Sequence, residues 1–167
     1  MLKLTHYTRK GAVRMVDVSS KPATERTAVA HAFIRIAPAA LRAIRRLRSP
    51  KGSPLEIARI AGIVAAKRTS ELIPLCHPLP ITHADVEALL RKNGVEITSR
   101  VTTTAPTGVE MEALTAAAVA ALTVYDMTKA LDRTMEITEL YLLEKRGGKS
   151  GPYRRAKKRQ SPDKQTR

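Results

Sequence analysis

The 167-residue chain is long enough for one ordinary domain with a buried core, and with one Phe and no Trp that core must be built from Ala, Leu, Ile and Val. A lone cysteine, Cys76, excludes an intrachain disulfide and fits a reducing compartment, and no apolar run reaches the ~20 residues of a membrane-spanning helix. The net charge of +15, from 30 Lys and Arg against 15 Asp and Glu, calls for an anionic partner.

Residues 1–10 lack the apolar stretch of a secretory signal, so the expected setting is cytoplasmic. Residues 15–18 read as a short N-terminal strand and residues 24–36 as a longer one. After Pro38, AALRAIRRLR spaces Leu41, Ile44 and Leu47 or Arg48 helically, which predicts a short basic helix. A second helix opens at Ser53, where S-P-L-E offers an N-cap Ser, Pro at the first helical position and Glu56 three residues after the cap. Leu55, Ala58, Ile60, Ala61, Ile63 and Val64 give it a broad apolar stripe as far as Lys67.

Residues 84–104 read as a hairpin around Asn93-Gly94, a pair suited to a tight primed turn. The clearest helix covers 109–131, with Met111, Leu114, Ala118, Leu122 and Tyr125 three or four apart, and a last strand spans 135–143. Strand, helix, strand, strand, helix, strand is the order of an α+β, ferredoxin-like split βαβ sandwich with an antiparallel sheet, here with an extra N-terminal strand and a short extra helix. Both main helices would cover one sheet face, and self-association is a natural way to cover the other. Residues 1–151 are expected as a single catalytic domain. Residues 152–167 are expected as a disordered basic tail: the last fourteen residues hold seven basic residues and one Asp, without apolar periodicity.

Three segments carry candidate chemistry. On the last helix, Asp126 and Lys129 share a face, and spacing alone favours a solvated ion pair over a working acid and base. Glu112 and Asp126 lie about 21 Å apart along that helix, too far to serve one small site within one subunit. In IPLCHPLP, residues 73–80, three prolines stiffen the chain around Cys76 and His77; too few ligands stand nearby for a metal, and His77 reads as a hydrogen-bonding group facing a pocket or as a His satisfied by backbone. The run from Lys145 to Gly151, KRGGKSG, has glycines and cations suited to phosphate, though it is no Walker loop and reads equally as a flexible linker.

Together the segments MVDVSSKPATERTAVA, ARIAGIVAAKRTSELIPLCHPL, GVEMEALTAAAVAALTVYDMTKALD and GGKSG resemble the cyclic pyranopterin monophosphate synthase family, in order and spacing, across most of residues 4–151. The resemblance implies a lyase of molybdenum cofactor (molybdopterin) biosynthesis. Such an enzyme converts 3′,8-cyclo-7,8-dihydroguanosine 5′-triphosphate to a cyclic pyranopterin phosphate and releases pyrophosphate. It implies a homo-hexamer built as a trimer of dimers, active sites at subunit interfaces, and no metal or organic cofactor. By position, the family's catalytic residues fall on Asp126, Lys129 and Lys51. Its substrate contacts fall on Leu75, Cys76, His77, Glu110, Met111, Glu112 and Lys145, with Arg26 and Lys21 as phosphate ligands, and Lys149 joins Lys145 and Arg26 as a cation suited to the leaving pyrophosphate. One departure is Arg14, which precedes MVDVS where some members carry His.

Two other classes compete. A nucleic-acid-binding protein would explain the charge, but neither an aromatic RNP-type strand nor a zinc-finger spacing is present, so no specific nucleic acid is expected. A silent scaffold for other enzymes is disfavoured by the intact Asp126 and Lys129.

Overall fold

The computed structural model describes residues 5–8, 10–46 and 53–156. Its elements are β1 (Thr24–Arg35), α1 (Pro38–Arg46), α2 (Pro54–Lys67), α3 (Thr69–Leu72), β2 (Ile81–Leu90), β3 (Gly94–Ala105), α4 (Glu110–Thr128), β4 (Glu136–Arg146) and β5 (Tyr153–Arg154). They build one antiparallel sheet in the order β2-β3-β1-β4-β5. The first four positions of that order, with α2 and α4 as the two crossing helices, are the ferredoxin-like arrangement that the element order predicts.

Small side chains set the spacing of the layers. Along β1, Ala28, Ala30, Ala32 and Ile34 alternate onto the helix side and are fully buried. They meet Ala113, Ala116, Ala117, Ala120, Ala121 and Val124 of α4, so alanine faces alanine and the helix lies close to the sheet. A core of this kind has no room for large aromatics. Gly62 brings α2 equally close to α4, because a Cβ there would stand 2.8 Å from the Ala116 carbonyl oxygen. Ser99 of β3 donates to the Ala113 carbonyl oxygen at 2.6 Å and fixes the first turn of α4 over the sheet.

Several local expectations are corrected. Among the described residues, 15–18 have no strand partner; the preceding arm bridges Tyr7 to Val13, and the Val16 carbonyl oxygen is used by the His77 side chain. The hairpin turns on Lys92-Asn93, with Arg91 N–H bonded to the Gly94 carbonyl oxygen at 2.8 Å. Neither Asn93 nor Gly94 has the positive φ of a primed turn. Gly94 is required for another reason, since a Cβ would collide with the Ile34 carbonyl oxygen and the Phe33 ring. At the start of α2, Ser53 caps through its backbone position alone, while Glu56 binds Arg59 rather than closing a capping box. The large apolar residues of the helices lie partly outward: Leu122 is 56% and Ile60 52% exposed. Within 152–167, Tyr153–Arg154 forms β5 beside β4, and 157–167 lie outside the described residues.

Candidate active site

Where β1, β4 and the turn before α4 converge, a cleft of about 940 Å³ opens, lined by Lys21, Arg26, Glu110, Lys145, Lys149 and Ser150 among others. Its floor is Arg26 of β1. Gly147 and Gly148 lie directly on that side chain, and both adopt left-handed φ, 87° and 80°, which lets the chain fold over the guanidinium without a Cβ in the way. Among the described residues, the Arg26 Nε beneath the loop is buried and has no hydrogen-bond partner. Lys145 is held in place by two contacts, donating to Ser150 Oγ at 2.8 Å and pairing with Glu110 Oε1 at 3.2 Å. Three lysines and an arginine around glycine backbone have the charge and donor groups that suit a polyphosphate.

A second pocket of about 290 Å³ adjoins the first, the two sharing Lys21, Thr107, Gly108 and Glu110. Leu75, Cys76, His77, Met111 and Glu112 line it, with His6 and Val16 from the N-terminal arm. A turn, Cys76 N–H to the Ile73 carbonyl oxygen at 3.0 Å, precedes the extended run and brings both Cys76 and His77 to the same cavity. His77 Nε2 donates to the Val16 carbonyl oxygen at 2.8 Å, which leaves Nδ1 as the lone-pair nitrogen of the neutral ring. Glu112 is 4% exposed; burial, aided by the charge of Glu110, pushes its carboxyl up to about 7. Burial also raises the Cys76 thiol, with Glu112 adding to it, which keeps the sulfur protonated and argues against a thiolate nucleophile.

All ten residues expected to contact substrate thus line two adjoining cavities. The expected catalytic pair does not. Asp126 and Lys129 sit at the far end of α4, bonded to each other at 2.7 Å with side chains 70% and 61% exposed, and Asp126 raises the Lys129 ammonium further. Lys51 lies outside the described residues. Among the described residues no group of three or more His, Cys, Asp or Glu is arranged to hold a metal ion, and no helix is long and apolar enough to cross a membrane. Sequence reasoning does not single out His6, Thr107 or Gly108; the Pro106-Thr107-Gly108 punctuation ahead of α4 was the available signal for the last two.

The MoaC family pattern matches residues 15–148, which takes in most of the lining of both cavities and the distant pair, but not His6, Lys149 or Ser150. The chain is similar to a cyclic pyranopterin monophosphate synthase of Thermomicrobium roseum, 55% identical over 157 residues that make up 93% of this chain and 95% of the relative. It is also similar to one from Deinococcus radiodurans, 51% identical over 160 residues, 96% of this chain and 95% of the relative. A third, from Heliobacterium modesticaldum, is 55% identical over 152 residues, 90% and 96% of the two chains. With the family pattern covering well over half of the chain and relatives more than half identical over nearly all of it, the chain belongs to the MoaC family.

Proposed function

We propose that this protein is a cyclic pyranopterin monophosphate synthase of molybdenum cofactor biosynthesis, taking the cyclised, nucleotide-derived triphosphate and releasing pyrophosphate. The observation that carries the reading is the pair of adjoining cavities, one cationic and of polyphosphate size, the other smaller and lined by groups that exchange hydrogen bonds and protons. Closing a cyclic phosphate needs a hydroxyl oxygen to attack the α-phosphorus, the bond to pyrophosphate to break, and the hydroxyl proton to leave. Arg26, Lys21, Lys145 and Lys149 suit the leaving pyrophosphate. Glu112, titrating near neutrality, and His77, whose Nε2 is taken up by the Val16 carbonyl oxygen and whose Nδ1 has no partner among the described residues, suit proton transfer and ring recognition.

Asp126 and Lys129 complete the site from a second copy of the chain, in a homo-hexamer of three dimers, with Lys51 as the third catalytic group. Two features support this: the pair is about 21 Å from Glu112 along α4, and the outward sides of α2 and α4 expose Ile60, Val64 and Leu122, an apolar surface for helix packing. A cytoplasmic location fits the lone, unpaired cysteine.

Purified protein given the cyclised GTP intermediate is expected to release pyrophosphate and yield a pterin that becomes fluorescent on oxidation. Intact substrate after prolonged incubation would refute the reading.

A further inference from the structure

Residues 147–152 join β4 to β5, and the strands at both ends of this loop are tied in one ladder, Lys145 opposite Tyr153 and Glu144 opposite Arg154. Within it Gly147, Gly148 and Gly151 all have left-handed φ, and glycines lose the most conformational freedom when fixed. A two-residue strand is a weak anchor for such a loop. The chain adds a clip immediately afterwards. Arg155 donates its N–H to the Leu143 carbonyl oxygen at 2.8 Å, and its guanidinium carbon lies 4.2 Å from the centre of the Tyr141 ring. Tyr141 stacks in turn on His31, 5.0 Å between centroids. His31 is buried on β1, the strand that carries Arg26 five residues earlier, so clip and cleft floor stand on one rigid element.

We propose that Arg155, stacked on Tyr141, is a positioning residue that holds the 147–151 loop over Arg26 and thereby sets the affinity of the cationic cleft for a phosphate chain. The inference rests on the reading that this cleft takes the polyphosphate of the substrate. Arg155 acts through the loop: with the clip gone, β5 frays and Lys149, Ser150 and the glycine backbone lose their fixed place, while Arg26 stays on β1.

The test is calorimetric titration of the full chain with inorganic tripolyphosphate, with turnover measured in parallel. Arg155→Ala is expected to weaken binding roughly fivefold and to raise KM by a similar factor with kcat little changed. Tyr141→Leu, which alters no charge, should weaken binding equally, the double variant no further, and Tyr141→Phe not at all. Arg155→Lys should restore part of the affinity, and a chain ending at residue 156 should bind as the full chain does. Unchanged affinity in Arg155→Ala overturns the proposal, as does a loss that Tyr141→Leu fails to reproduce, an equal loss on removing 157–167, or no binding by the unaltered chain. Should the Tyr141 variants not fold, the exposed Arg155 variants decide through the KM and kcat split. If tripolyphosphate binds through the clip but no pyrophosphate is released from the cyclised nucleotide, the proposed function falls and the clip stands.

Discussion

Glu112 lies in the first turn of α4, where a helix N-terminus ordinarily favours a negative charge, yet its carboxyl titrates near 7 because burial outweighs that field. At neutral pH such a group holds or gives up a proton readily, the property wanted of a general acid or base. The same shift has a signature in stability. Its folded pKa of about 7 stands above the 4.5 of an unperturbed glutamate, so the contribution is fully present below about pH 4.5 and is lost as pH rises through 7. Glu112→Gln should therefore gain stability relative to the unaltered protein across that window, by up to ~3 kcal/mol, in denaturant titrations at stepped pH. A difference that stays flat from pH 4.5 to 7 would show the carboxyl to be unperturbed. Lys129 presents the opposite case: Asp126 holds its ammonium protonated, so within one subunit it donates and does not accept.

Among the elements, the hairpin separates what the sequence tells from what it hides. Alternation of Val86, Ala88 and Leu90, and of Val95, Ile97 and Val101, predicted the two strands; Val86, Val95, Ile97 and Val101 are buried, Ala88 and Leu90 partly so. The role of Gly94 was not readable, because it depends on the Ile34 carbonyl of a strand about sixty residues away in the chain. Gly94→Ala is expected to lower unfolding free energy by roughly 2 kcal/mol or more through that collision, whereas Asn93→Ala, at ordinary φ, should cost less than about 1 kcal/mol. Chemical denaturation gives both values, and a larger loss at Asn93 than at Gly94 would restore the primed turn. The helices show the same limit. Spacing of three or four identified α4, but its buried face is the alanine face, since close approach rather than side-chain bulk decides which stripe meets the sheet.

For the molecule as a whole, the order of chemical segments was legible in the sequence, and so was the length of α4 that keeps Glu112 from Asp126. The gathering of Arg26, Lys145 and the glycine loop into one cleft was legible only through the family resemblance, because it arises from the pairing of β1 with β4. Not legible was β5, whose two residues sit in a basic stretch without apolar pattern. One subunit holds the two cavities and, at the far end of α4, the pair that the proposed reaction needs beside them. The measurement that bears most directly on this account is activity regained by mixing. Glu112→Ala and Asp126→Ala subunits should each be folded and slowed ~10² to 10⁴-fold, and after dissociation and reassembly together they should recover part of the unaltered rate, because some sites inherit both intact groups. Verified mixed oligomers that remain as inactive as either parent would contradict a site assembled from two chains.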